Sequence, residues 1–272
     1  KPARGQWISR IEASWHDARV AYLAVDAHRS GMYSPLAYRT SDAGRNWQSI
    51  VGNLPVDGPV KVVREDPVNP DLLYAGTEFN LFVSIDRGVH WVKLGELPTV
   101  AVDDIAIQSR DHDLVIATHG RSLFIIDDIQ PLQKLTGEVS SSEAHLFPIR
   151  PAAGFYQLDG FADWSGTSVF RGANPPPGAL ISYFVKDYTG NPVKIAISDS
   201  SGKPVANLSG SSGPGINRVA WDLKVTKDLL TDYGGEGQKF VKSGEYTVSL
   251  TYGKAKDSQK FKVTIAPGIE TR

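Results

Sequence analysis

The chain has 272 residues, 41% of them hydrophobic, enough for two domains with real cores and too many for global disorder. Lys and Arg number 29 against 30 Asp and Glu, so no basic excess points to nucleic acid or to an anionic membrane surface. Cysteine is absent, which removes disulfides, thiolate metal sites and a cysteine nucleophile, and no apolar run approaches the ~20 residues that span a bilayer.

From the N-terminus, strands are predicted near 7–12, 20–25, 36–40 and 46–50, then at 60–66, 72–76, 81–84 and 90–94. A third group falls near 102–107, 113–118 and 123–127, with "AHLFPI" (144–149) the best candidate for its fourth strand. The segments "VAYLAVDAHR", "DLLYAGTEFN" and "DLVIATHGRS" align on Ala24, Ala75 and Ala117, each followed by a polar loop and an apolar strand. A repeat of ~40–45 residues with four short strands per unit is the signature of propeller blades.

Two turns carry a shared pattern: "TSDAGRNW" with Thr40, Asp42, Gly44 and Trp47, and "SIDRGVHW" with Ser84, Asp86, Gly88 and Trp91. The hydroxyl and carboxylate can bond the turn's backbone, the glycine can take φ > 0, and the tryptophan can bury its ring between blades. A structural role is expected for all eight residues. The third repeat, "IIDDIQPL", lacks the Gly and the Trp.

Composition shifts after residue 135. "TGEVSSSE" reads as a polar linker, and 151–178 as a Gly/Pro-rich connector in which Trp164 and Phe170 would be packing anchors. From 179 the alternation is again that of strands: "ALISYFVKD", a hairpin across "DSSGKP", "GINRVAWDLK", and a hairpin turning at "GKAKD". About seven short strands over 179–268 fit an immunoglobulin-like sandwich, with Trp221 in its core. The expected fold is therefore all-β: a partial propeller of about three four-stranded blades over 1–150, then the connector, then the sandwich.

Up-and-down topology constrains where chemistry can sit. In a four-stranded blade the first and third turns lie at one end, and the second turn and the link to the next blade lie at the other. The second turns carry His28 and Arg29, then Glu78, then His119 and Arg121, and the third inner strand begins near Asp104. Arg can grip a carboxylate in bidentate fashion, and His, Glu or Asp can act as acid or base when burial moves their pKa values. These six are the ligand-binding candidates; the alternative is that Glu78, His119 and Arg121 pair with one another or with the backbone to brace neighbouring blades. No HExxH, glycine-rich phosphate loop or G-x-S-x-G elbow is present. His16, His90, His112 and His145 have no metal-ligand spacing, so neither a metal nor a cofactor is expected.

The two turn motifs resemble the Asp-box, or BNR, repeat of sialidases, xyloglucanases and sortilin-type propellers. The stretches "ISRIEAS", "YRTSDAGRNWQSI", "VREDPVNPDLLYAGTEFNLFVSIDRG" and "HDLVIATHGRSLFIIDDIQPLQKLT" are similar to the last blades of large bacterial sortilin-like BNR-repeat proteins labelled as glycosyl hydrolases. "GINRVAWDL" and "SGEYTVSLTYG" resemble the Ig-like modules of flagellar hook-capping proteins and exported enzymes. The resemblance implies an exported, extracytoplasmic protein that binds glycan and is related to glycoside hydrolases. The alternatives are a non-catalytic scaffold for a protein or peptide, or an accessory subunit. Asp-box sialidases use three arginines and a tyrosine, and no set of three equivalent arginines is visible here. Three blades fall short of the 4–8 that close a propeller. The chain is thus expected to be a C-terminal piece, not catalytic alone, whose partners are the remaining blades, upstream or in a companion chain.

Overall fold

The computed structural model describes residues 5–156, 176–233 and 239–271. The chain divides into two compact units, Lys1–Leu135 and Thr136–Arg272. No helix among the described residues is long and apolar enough to cross a membrane.

In the first unit, β1 (Trp7–Ala13), β2 (Ala21–Asp26), β3 (Ala37–Thr40) and β4 (Gln48–Ser49) form one antiparallel sheet in chain order. The strands β5 (Val60–Glu65), β6 (Leu73–Thr77), β7 (Leu81–Ser84) and β8 (Val92–Lys93) form a second in the same order. Among the described residues, a third sheet has only β9 (Val102–Gln108), β10 (Asp113–Thr118) and β11 (Leu123–Ile126). Each sheet is an up-and-down meander, the blade unit that the repeat implied.

The middle blade is apolar on both faces, and the period of two sorts its side chains between two cores. Leu73, Ala75 and Phe82 pack toward blade one with Tyr22, Ala24 and Ala37. Leu72, Tyr74, Leu81 and Val83 pack toward blade three with Val102, Ile105, Leu114 and Ile116. On β5 the register shifts between Val60 and Val62, so Val60 and Val63 share the first core while Val62 enters the second.

The inner strands converge. Arg10 on β1 reaches across β5 to Asp104 on β9 at 2.7 Å, and Arg64 on β5 binds the same carboxylate at 2.8 Å. Arg64 also pairs with Glu12 on β1 and donates through Nε to the Ile105 carbonyl at 2.6 Å. First and third blades can touch in this way only if the sheets fan about an axis near β1, β5 and β9.

The turn motif works the same way in both blades. Gly44 N and Gly88 N donate to Thr40 Oγ1 (3.0 Å) and Ser84 Oγ (2.8 Å). Those hydroxyls donate to Asp42 and Asp86, whose Oδ1 atoms accept from Asn46 N and His90 N, each at 2.8 Å. The residue before each glycine is also left-handed, Ala43 at φ 57° and Arg87 at φ 60°, so the turn is tight enough to need its side-chain bracing. Trp91 is 3% exposed, and its Nε1 donates to Ile50 O of blade one at 2.8 Å. Trp47, expected to be buried between blades as well, is only half-buried and bonds its own turn at Gly44 O. The two rings differ in what they meet: Trp91 bonds the preceding blade at Ile50 O, while Trp47 bonds only within its own turn.

The second unit is a sandwich. One sheet orders β12 (Ala144–Leu146), β14 (Ala179–Val185) and β17 (Gly215–Trp221). The other orders β13 (Ala152–Gly154), β19 (Ala255–Ile265), β18 (Gly244–Tyr252), β15 (Val193–Asp199) and β16 (Pro204–Gly210). With β13 parallel to β19 and every other pair antiparallel, this is the strand order of an immunoglobulin-like fold. Both sheets feed one core in which Trp221, 1% exposed, meets Tyr246 and Phe261 edge-on at 5.7 and 6.2 Å. Burying such a ring contributes about 3 kcal/mol, which matters where no disulfide staples the sheets.

The fold corrects one strand assignment and moves one boundary. "AHLFPI" does not complete blade three: Ala144, His145 and Leu146 pair with Val185, Phe184 and Tyr183 of β14. Pro148 and Pro151 then interrupt the ladder and let the chain cross to the other sheet as β13. The units divide between Leu135 and Thr136, not at 150, and β13 lies within the expected connector. Trp164 and Phe170 lie outside the described residues.

Candidate functional site

The second turns and the interblade links of the first unit meet at one end. Glu78 N donates to Pro59 O, His119 N to Ala101 O, and Val100 N to Phe79 O. The third turns, with Asp42 and Asp86, lie at the other end, beside the first turns: Ala43 N donates to Arg19 O, and Arg87 N to Asp71 O.

A cavity of about 640 Å³ opens among the second turns and links, lined by His28, Tyr33, Asp57, Lys61, Glu78, Phe79 and His119, with Pro59 and Ala101. Three of its lining residues, Lys61, Glu78 and His28, join an ion-pair network with Asp26, which is not itself in the lining. Lys61 binds Glu78 at 2.8 Å and Asp26 at 3.5 Å, and Asp26 Oδ1 lies 2.6 Å from His28 Nδ1. Burial of Asp26 disfavours its charge, but hydrogen bonds from His28 and the Lys61 ammonium outweigh that and hold its carboxyl below the usual range. Burial likewise works against the Lys61 charge, and the bond to Glu78 with the charges of Glu78 and Asp26 reverses it, raising the ammonium's pKa. On the third blade, His119 Nδ1 sits 3.2 Å from Asp103 Oδ2. Two aromatic rings remain open to solvent at the rim, Tyr33 (60%) and Phe79 (47%).

Of the six candidates from sequence, the cavity gathers three: His28, Glu78 and His119. Asp104 is not among its lining residues but serves the axial network with Arg10 and Arg64. Arg29 stacks its guanidinium over the Trp7 ring at 5.6 Å. Arg121 is exposed and makes no ion pair among the described residues. The alternative bracing role divides similarly, because Glu78 and His119 are held by Lys61 and Asp103 and not by each other. Reasoning from aligned loops missed Lys61, Tyr33, Phe79 and Asp57. Lys61 sits on strand β5, Tyr33 in the irregular loop of blade one, and Asp57 in the link before blade two. Phe79 stands between Glu78 and Asn80 in an aligned loop, and only a search for aromatic as well as ionisable residues would have found it.

No protein-family model matches the chain, and no curated protein does. Among solved structures it is similar to an ancestral GH74 enzyme (24% identity, 44% of this chain and 14% of that one, TM-score 0.38). It is also similar to the GH74 enzyme of Niastella koreensis (11% identity, 92% and 37%, TM-score 0.37). A third is YCF48 bound to D1 peptide (12% identity, 94% and 66%, TM-score 0.33). The chain thus spans 14% and 37% of the two GH74 enzymes.

Proposed function

We propose that the first unit contributes the last blades of a sortilin-like BNR/Asp-box propeller acting outside the cytoplasm, and that its cavity binds a glycan. The observation that carries this reading is the pairing of two solvent-open aromatic rings, Tyr33 and Phe79, with the lining ion pair of Lys61 and Glu78, which Asp26 supports from behind the lining. A pyranose presents an apolar C–H face and an edge of hydroxyls. Aromatic rings complement the first, and paired donors and acceptors held by ion pairs complement the second without rearrangement. The cavity's acids and its one lysine leave no cationic excess, which argues against phosphate or polyanions.

Binding is favoured over hydrolysis for this chain. Glycosidases need one carboxyl kept protonated near neutrality, with its pKa raised. Asp26, bonded to His28 and Lys61, is shifted the opposite way.

The test is titration of neutral oligosaccharides into the 272-residue chain, screened on a glycan array and measured by calorimetry. Phe79→Ala and Glu78→Gln should each weaken binding about tenfold or more, the equivalent of ~1.4 kcal/mol, with circular dichroism unchanged. Absence of saturable glycan binding, or binding indifferent to both substitutions, overturns the reading. Saturable binding of peptides in place of glycans would establish the scaffold alternative.

A further inference from the structure

The side chains that line the cavity of the first unit offer a ligand more acceptors than donors. Asp26 Oδ1 stands 2.6 Å from His28 Nδ1, and Asp103 Oδ2 stands 3.2 Å from His119 Nδ1. An ionised carboxylate only accepts, so each neutral ring carries its proton on Nδ1, and the nitrogen left for a ligand, Nε2, is an acceptor. Glu78 gives Oε2 to Lys61 at 2.8 Å and keeps Oε1 without a partner among the described residues. Asp57 is exposed, and its carboxylate makes no ion pair or hydrogen bond among the described residues. Against these acceptors stand the Tyr33 hydroxyl and Lys61, whose ammonium is already shared between Glu78 and Asp26.

Charge runs the same way. With the histidines neutral, Lys61 is the sole cation among the lining residues, while Asp57 and Glu78 face the cavity and Asp26 and Asp103 stand behind its two imidazoles. The unpaired carboxylate is also close to an open ring. Glu78 N donates to Pro59 O at 3.0 Å, which sets the Glu78–Phe79 loop against the link that carries Asp57. A Cβ placed on Gly58, the residue after Asp57, would lie 3.9 Å from Cδ2 of Phe79. The face of an aromatic ring attracts a cation. An ammonium group complements all three features at once, since it brings three N–H donors, a positive charge and no acceptor. An N-acetyl group in its place would bring one N–H donor and a carbonyl, a further acceptor against a wall of acceptors.

We propose, on the reading that the cavity holds a glycan, that its ligand is an amino sugar with a free ammonium group, bound with the ammonium at Asp57 and Glu78 beside the Phe79 ring.

The probes are three tetrasaccharides on one β-1,4 backbone, built of glucosamine, N-acetylglucosamine or glucose. Each is titrated by calorimetry into the 272-residue chain near pH 7, where an amine with the reference value of an α-amino group, about 7.7–8.0, is mostly charged. Salt is held at about 0.15 M to screen diffuse attraction. The glucosamine form should bind about tenfold more tightly than the N-acetylated form, and more tightly than glucose. Asp57→Asn keeps the shape of an exposed side chain that has no partner to lose, and it should shrink the glucosamine-to-glucose affinity ratio about fivefold or more. Equal or tighter binding of the N-acetylated form, or a ratio untouched by Asp57→Asn, overturns the amino sugar and leaves a glycan site standing. Failure of all three to bind removes the glycan reading and the amino sugar with it. A Gly-Lys-Gly tripeptide that binds more tightly than the glucosamine form assigns the ammonium to a peptide and likewise overturns the sugar.

Discussion

Gly44 and Gly88 occupy the same position of the same motif, yet replacing each by alanine should cost very different amounts. Both are left-handed, at φ +82° and +88°. Alanine there loses about 1–2 kcal/mol to backbone sterics and recovers about 0.4–1 kcal/mol from a less flexible unfolded chain, a net cost of ~1 kcal/mol. At Gly44 nothing more is added, because a new Cβ would lie no closer than 3.9 Å to any neighbour, the Trp47 ring. At Gly88 the Cβ would stand 2.8 Å from Ile50 Cβ and 3.0 Å from Ile50 O, on the preceding blade. That carbonyl accepts the Trp91 indole N–H, so it cannot retreat without loosening the bond. Overpacking of this kind costs a further ~2 kcal/mol. The assay is urea unfolding of the two variants, with peptide-resolved hydrogen exchange assigning the transition to the first unit. With an m-value of about 2 kcal/mol per molar, Gly88→Ala should unfold about 1 M urea earlier than Gly44→Ala. Equal midpoints would refute the claim that the Ser84–Trp91 turn of blade two is a fastener between blades and not merely a local turn.

Two further outcomes test the same motif. Trp91→Phe should cost about 2 kcal/mol in urea unfolding, through the lost bond to Ile50 O and the smaller ring, while Trp47→Phe, half-exposed and bonded only to its own turn, should cost less than ~1 kcal/mol. In Asp42, backbone and side-chain amide bonds from Asn46 hold the carboxyl below its ordinary value of 3.8; in Asp86, burial opposes ionisation but the bonds from His90 and Ser84 outweigh it. Each folded pKa lies below the unfolded one, so this stabilisation is fully present above about pH 4 and is lost as pH falls through the folded value. The double variant Asp42→Asn, Asp86→Asn should therefore show a shallower loss of stability below about pH 4, and an unchanged slope would count against the motif's carboxylates being charged anchors.

Much of the architecture was legible because blades advertise themselves locally. The short apolar runs of β5 to β7, the prolines of "PVNPD" and the turns "TSDAGRNW" and "SIDRGVHW" are each signals carried by a few neighbouring residues. The end of the blade that gathers His28, Glu78 and His119 followed from up-and-down topology alone, since strand count fixes which turns share an end. Arg29 and Asp104 stood in the right neighbourhood but were claimed by partners remote in sequence, Trp7 and the Arg10–Arg64 pair. Arg121 shares its loop with His119 but not its place in the cavity wall. Topology places a backbone; the choice of side-chain partner is made by packing across blades.

The misassigned strand shows where that limit lies. "AHLFPI" has the apolar alternation and length of a blade strand, and nothing within it says which sheet it joins. Its destination is decided by residues remote in sequence: it pairs with Tyr183, Phe184 and Val185 of β14, and from the facing sheet Asp257 Oδ2 accepts from Leu146 N at 2.8 Å while Gln259 Nε2 donates to Leu146 O at 3.3 Å. The missing Gly and Trp of "IIDDIQPL" were the better guide. In blades one and two the turn motif exists to reverse the chain into a fourth strand, and its tryptophan is the first residue to return. A repeat without that turn lacks the device that returns blades one and two onto their third strands. Instead Ile129 N bonds His112 O, and the chain turns into a short helix, Gln130–Gln133, whose Gln133 side chain donates to the Asp66 carboxylate beside the second blade. Loss of the motif and the lack, among the described residues, of a fourth strand beside β11 are thus one structural fact.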